Sequence, residues 1–345
     1  MDGDRKTPLV TVIIPARNEE DHIEETLRSV CAQDLKDLEI IVVDGSSEDQ
    51  TPHLVRNHAE RDGRIRLVTN ERGSIPTSLN MGLKHATGHW LVRVDAHSTI
   101  PTDYIRRAIA LLEQGTWGGV GGRKDAIGRT DAGRAIAVAL ASPFGVGRSL
   151  YHYSDERAEV DHVPFGIYPV DLVRELGGWD ERLEANEDYE FDFRVRQRGH
   201  RLLFDPSLKI AWHSKQSMTE LFHQYRRYGN GKAAVALIHP ASMRPRHLGP
   251  PVLVAVLALS AVARRREPRL AVLTGSSYLL AVSLASISSL EKLDGKARMF
   301  LPLAFATMHL AWGYGFWEGL FHQLTHGSAD PPTGGSAFQH TGGLR

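Results

Sequence analysis

Glu187 and Asp188 stand side by side ahead of residues 189–199, a run with basic residues at its end and a glycine beyond. As a helix, that run would have its dipole compensated by an acidic start, worth ~0.3–1 kcal/mol per charge. The same carboxylates could serve as a base, because a helix start keeps an acid ionised at neutral pH. The preceding turn, Gly177-Gly178-Trp179-Asp180, carries an exposed-type aromatic and favours the chemical reading. Asp95 and His97 form a second pair, two residues apart at the end of an apolar run. A carboxylate and an imidazole so spaced suit a divalent ion whose shell a phosphate completes. They suit a capped turn and a packed histidine equally well. His213 follows Trp212 at another strand end, a place where packed histidines are common. Gln224 and Arg227 lie three apart within Gln224-Tyr225-Arg226-Arg227-Tyr228, so a helix would turn both to one site.

The elements that must position these groups alternate in period. Residues 10–14 are a short apolar run stopped by Pro15, the pattern of a buried strand. Ile23, Leu27 and Val30 follow at helical spacing behind Glu19-Glu20-Asp21. Residues 39–44 form a second strand ending at Asp44. Helices are expected at 51–60 and 75–85, and strands at 65–68 and 89–94. This alternation predicts an α/β domain with a mainly parallel sheet, whose ligands bind beyond the carboxyl ends of the strands. Asp44 at such an end can accept from a base or ribose, or cap its own turn. The first strand–helix turn, Pro15-Ala16-Arg17-Asn18-Glu19, has no glycine and matches neither the dinucleotide fingerprint nor a P-loop. The run Gly118-Gly119-Val120-Gly121-Gly122 follows no evident strand and reads as a bend or a tightly packed edge.

Of 345 residues, 41 are Lys or Arg and 41 Asp or Glu. That balance argues against a general nucleic-acid binder. The single cysteine, Cys31, excludes an intrachain disulfide and a cysteine-based zinc cluster. Three stretches without charge follow, at 248–263, 270–290 and 299–317, and the second has the ~20 apolar residues that cross a bilayer. The organisation expected is a catalytic domain over 1–240, membrane-associated helices over 248–322 and a disordered tail over 323–345.

In order along the chain, Ile14-Pro15-Ala16-Arg17-Asn18-Glu19, Val43-Asp44-Gly45-Ser46-Ser47-Glu48-Asp49, Arg93-Val94-Asp95-Ala96-His97, Asn186-Glu187-Asp188 and Gln224-Tyr225-Arg226-Arg227-Tyr228 resemble the family 2 glycosyltransferases of the GT-A fold. The membrane-associated exopolysaccharide members, of the succinoglycan type, are the most similar in look. The resemblance runs from about residue 11 to 232, plus the hydrophobic end. It implies an inverting, metal-dependent transferase that moves a sugar from a UDP-linked donor to a hydroxyl of a lipid-linked saccharide.

By that resemblance Pro15, Ala16, Arg17, Asn18, Glu19, Asp44 and Arg93 lie on the donor side. Asp95 holds Mg²⁺ or Mn²⁺, with His97 and His213 as further candidate ligands; the family's usual Asp-x-Asp has His97 at its third place here. Asp188 matches the catalytic base, with Glu187 and Arg227 beside it. Gln224, Tyr228 and Trp179 fall on the acceptor side. Tyr228 replaces the Trp of the family's Gln-x-x-Arg-Trp, so processive synthesis is not implied.

Two other reactions compete: transfer to polyprenyl phosphate itself, and nucleotidyl transfer on a similar sheet, which usually has a glycine-rich, basic first turn. The expected location is the cytoplasmic membrane, with the catalytic domain in the cytoplasm because residues 9–14 are too short for an export signal. Weighing Arg264, Arg265, Arg266 and Arg269 against the other basic residues favours two spans, 270–290 and 299–321, with 248–263 lying in the interface.

Overall fold

The computed structural model describes residues 9–115 and 117–326. The first half builds as expected. Strands β1 (Val10–Ala16), β2 (Leu38–Asp44), β3 (Ile65–Thr69) and β4 (Trp90–Arg93) alternate with helices α1 (Ile23–Cys31), α2 (Thr51–Ala59) and α3 (Ile75–His85). β1 and β2 are runs of β-branched and aliphatic residues buried on both faces, the pattern of parallel strands covered by helices. Helix α3 begins where the Ser74 side chain accepts from the Thr77 amide.

The second half is β5 (Ser98–Thr99), α4 (Tyr104–Glu113), β6 (Trp117–Ile127), α5 (Asp131–Leu140), α6 (Pro143–Val146), β7 (Ala158–Val160), β8 (Ile167–Pro169), α7 (Val170–Glu175), α8 (Glu187–Gln197), β9 (Arg201–His213) and α9 (Met218–Ile238). Among the described residues nine strands form one sheet in the order β3-β2-β1-β4-β8-β6-β9-β5, with β7 paired to β9. The β1–β4 set is parallel, and so are β6 and β9; β5, β7 and β8 run the other way. The sheet is mainly parallel.

The glycine run is neither a bend nor an edge. It lies inside β6, between β8 and β9, and a Cβ on Gly122 would collide with the Leu208 carbonyl. The reason for the glycines is close approach of neighbouring backbone, so the tight packing was anticipated and the place was not.

Among the described residues three long helices follow: α10 (Pro245–Ala263), α11 (Pro268–Ile287) and α12 (Ala297–His326). Among the described residues, α10 and α11 are the two helices long and apolar enough to cross a membrane. The third stretch behaves differently from expectation. Helix α12 packs along α9 and α5, burying Leu301, Phe305 and Met308 in the core of the α/β domain. Gly229 of α9 faces the Trp312 carbonyl, and Gly315 of α12 faces the Arg226 carbonyl, so no side chain fits at either crossing. Arg226 closes the contact with two bonds to Glu318, at 2.6 and 2.5 Å. Outward from this contact, Leu259, Val262, Leu273, Leu280, Ile287, Met299 and Phe321 are exposed, an apolar surface shared by all three helices. Residues 323–326, assigned in advance to a disordered tail, continue α12; residues 327–345 lie outside the described residues.

Candidate active site

Pro15 and Ala16 end β1 beside Val43 and Asp44 of β2. The loops that follow are stitched together. Asn18, held at φ 54°, donates its amide to Ser47 Oγ at 2.9 Å, and its side-chain oxygen accepts from the Glu48 amide at 2.9 Å. The Glu19 amide donates to Thr51 Oγ1. Asp44 is buried; Oδ2 accepts weakly from the Ser47 amide at 3.3 Å, and Oδ1 has no partner among the described residues. A buried carboxylate oxygen left so is costly unless another donor reaches it.

At the end of β4, Arg93 is buried and divided between two acids. Its Nε donates to Asp95 Oδ1 at 3.0 Å and its Nη1 to Glu187 Oε1 at 3.0 Å. Two residues on, His97 Nδ1 lies 2.9 Å from Glu19 Oε1, which ties the first loop to this strand end.

Asn186, in left-handed conformation at φ 62°, starts α8 and sets Glu187 and Asp188 on its first turn. Asp188 Oδ1 accepts from the Tyr189 amide at 2.7 Å. The neighbouring acids are driven apart. Burial and the adjacent Asp188 push Glu187 up to about 7, with the Arg93 guanidinium opposing. Burial works against the charge on Asp188 too, but His162 and Arg93 outweigh it and hold Asp188 below its ordinary value. The two acids shift in opposite directions, and Asp188 is the one held ionised as a base.

Helix α9 brings the opposite wall. Gln224 Nε2 donates to Tyr228 Oη at 3.0 Å. Arg227 is exposed and makes no ion pair among the described residues, unlike Arg226. Gln224, Tyr228 and Lys232 fall four residues apart on one stripe. Lys232 is buried with Nζ 3.2 Å from the centre of the Tyr189 ring, and burial lowers it to about 7. Lys124 of β6 sits 3.6 Å over the Trp212 ring, lowered by burial to about 8.

These groups line one cavity of about 620 Å³. Arg93, Asp95, His97, Glu187, Asp188, Gln224, Arg227 and Tyr228 are all in its wall. The cavity continues between the helices to Leu253 of α10, Ala281 of α11, and Met308 and Trp312 of α12. Pro15, Ala16, Arg17, Asn18, Glu19 and Asp44 stand at the neighbouring strand ends, outside that wall.

Two expectations are corrected. Trp179 is not on the acceptor side: it is buried against Phe191, 5.1 Å between ring centres, because the Gly177-Gly178 turn at positive φ folds it into the core. Asp95, His97 and His213 do not gather as a three-ligand set, and among the described residues no group of three His, Cys, Asp or Glu does so. His97 is turned to Glu19, while His213 stacks on His22 at 4.4 Å and lies 3.3 Å from Glu25. Lys124, His162 and Lys232 were missed. Lys232 alone had a sequence signal, the stripe it shares with Gln224 and Tyr228.

Residues 11–174 match the sequence model of Glycosyl transferase family 2. The chain carries a glycosyl transferase family 2 domain. The transferase is 27% identical over 316 residues to the succinoglycan biosynthesis protein ExoA of Rhizobium meliloti, covering 90% of this chain and 94% of that protein. It is 24% identical over 325 residues, covering 90% and 97%, to a dolichyl N-acetyl-alpha-D-glucosaminyl phosphate 3-beta-D-2,3-diacetamido-2,3-dideoxy-beta-D-glucuronosyltransferase of Methanococcus voltae. Its fold is shared with a mannosyltransferase of Pyrobaculum calidifontis solved with GDP-Man and Mn²⁺, at TM-score 0.58 and 21% identity over 91% of this chain and 88% of that one. The GT-A architecture expected from the motifs is the architecture found.

Proposed function

We propose that the cavity transfers a sugar from a nucleotide-sugar, UDP-linked, to a hydroxyl of a lipid-linked saccharide in polysaccharide biosynthesis. One observation carries this reading: a single cavity runs from the Glu187-Asp188 carboxylates to the apolar walls of α10, α11 and α12. A sugar hydroxyl could reach Asp188 while an attached chain lay among Leu253, Met308 and Trp312. The names of the two curated relatives, one in succinoglycan biosynthesis and one acting on a dolichyl-linked sugar, favour the same assignment.

Asp188 takes the proton of the acceptor hydroxyl. That oxygen bonds to the sugar's anomeric carbon, the bond from that carbon to phosphate breaks, and its electron pair leaves with the diphosphate. No covalent nucleophile is needed, and the configuration inverts. A positioned base supplies ~10²–10⁴ in rate. Asp44, with its unpartnered Oδ1, would accept from the base or ribose, and the loop stitched around Asn18 would shape that shelf.

A divalent ion fits as a one-carboxylate site. Asp95 would hold it together with donor phosphate oxygens, and His97 would stay with Glu19. When bound, the ion neutralises charge on the leaving diphosphate. Arg227, free of carboxylate partners among the described residues, would face the same charge.

The exposed apolar surface of α10, α11 and α12 would lie in the cytoplasmic membrane, with the sheet domain on the cytoplasmic side. The reading is tested by offering UDP- and GDP-linked sugars with either a lipid-linked saccharide or its water-soluble counterpart. Transfer to the lipid-linked form alone is expected; equal use of both acceptors overturns it.

A further inference from the structure

Beside Asp188 in the same cavity wall stands His162, the start of a buried hydrogen-bonded chain that the transfer step does not itself use. His162, in the segment between β7 and β8, has its Nδ1 2.7 Å from Asp192 Oδ2. The Val163 amide donates to the same oxygen at 2.9 Å, and the Tyr168 hydroxyl donates to Asp192 Oδ1 at 2.7 Å. Asp192 is wholly buried and accepts from the Val163 amide and the Tyr168 hydroxyl; as a carboxylate it takes its third hydrogen from Nδ1 of His162. The other ring nitrogen, Nε2, then points its function at Asp188: it lies 3.7 Å from Oδ2. Asp188 Oδ1 is already taken by the Tyr189 amide, so both oxygens have an assigned neighbour.

We propose that His162, anchored by Asp192, is the positioning residue of Asp188: it orients the carboxylate toward the cavity and keeps it ionised. The inference rests on Asp188 being the base. A gap of 3.7 Å is long for a hydrogen bond, and such bonds tighten when substrate closes the site. A histidine between two carboxylates favours its charged form, and the direction of its shift agrees: Asp188 and Asp192 raise His162 against the effect of burial.

The surroundings of the ring limit what else could titrate it. Tyr151 and Tyr189 meet it edge-on, at 5.4 and 5.8 Å between centres. His152 beside it is driven by burial down to about 3 and stays neutral. Asp161 on the chain next to it is engaged by Arg246 of α10 at 2.7 Å. Lys232 of α9 and Lys124 of β6 are the cations beyond; both act on Asp188, and Lys124 acts on His152 as well. Asp188 and Asp192 are the carboxylates that face the ring nitrogens, and Asp161 acts on the ring in the same direction.

Two measurements test this. In His162→Gln, kcat should fall about 10-fold or more, part of what a general base supplies. The donor KM should stay within about twofold, and the acidic limb of the kcat profile should move to higher pH, because Asp188 loses the charge that held it down. An unmoved limb, or a kcat within about twofold of the original, overturns the proposal.

The second measurement needs no substrate and no folded His162 variant. Nitrogen-15 NMR of the labelled histidines, in detergent, follows His162 in the original chain and in Asp188→Asn. Its titration should move to lower pH in the variant; an unchanged titration overturns the proposal. If instead Asp188→Asn keeps full transfer activity, the base assignment itself has failed, which separates the two readings.

Discussion

Arg93 Nη1 meets Glu187 Oε1 at 3.0 Å across 94 positions of sequence, and both side chains are buried. That contact ties the start of α8 to the end of β4, where Arg93 also holds Asp95. Taking away one partner of a buried pair strands the other, at a cost of ~3–5 kcal/mol. Arg93→Met should therefore lower the denaturation midpoint strongly, and Arg93→Met/Glu187→Gln should recover part of the loss. Equal midpoints for the original chain and Arg93→Met would show that the pair does not hold the helix in place.

The proposed one-carboxylate metal site is tested at Asp95. EDTA should abolish turnover, and Asp95→Ala should weaken UDP binding only when Mn²⁺ or Mg²⁺ is present. Calorimetric titration with UDP reads this directly. The same affinity with and without metal in the original chain would remove the ion from the donor site.

Lys232 makes stability depend on pH. Burial lowers it to about 7 in the folded chain, while an unfolded lysine titrates near ~10.4. Between those values the unfolded chain binds a proton that the folded chain does not, so stability rises with pH across that window. Below about 7 both states are protonated and the slope ends. Lys232→Met should flatten the rise and be the more stable form at neutral pH. Thermal unfolding at pH 7 and pH 9.5 compares the two, and a parallel rise in both would place the titrating group elsewhere.

The arginine turn between α10 and α11 reports topology. If α10 lies in the interface and does not cross, the turn carrying Arg264, Arg265, Arg266 and Arg269 stays on the cytoplasmic side, as the distribution of positive charge favours. A cysteine at position 265, in a Cys31→Ser background, should resist a membrane-impermeant thiol reagent in intact cells. Rapid labelling would mean that α10 crosses.

Much of the sheet was legible because each of its first strands is a short apolar run with a hard stop. Pro15, Asp44 and Asp95 marked the ends where the site is built, and α3 was read to its bounds, Ile75–His85. The central strand β6 was hidden by glycines that suppress strand propensity while admitting the Leu208 backbone. Trp179 read as exposed because a glycine pair usually marks a surface turn; here the turn points the ring inward. Helix α12 read as a span because it is apolar on every face, and the sequence does not say that one face is covered by α9. His162 left no local trace: Asp192, its anchor, is 30 residues away.

The central claim is that Asp188 is the base of a sugar transfer, and Asp188→Asn tests it with the least intervening argument. The substitution keeps the shape and removes the charge. Transfer to the lipid-linked acceptor, followed with a radiolabelled UDP-sugar, should fall by at least ~10²-fold, with UDP affinity nearly unchanged. A variant that transfers sugar to a hydroxyl acceptor at close to the original rate would contradict the account.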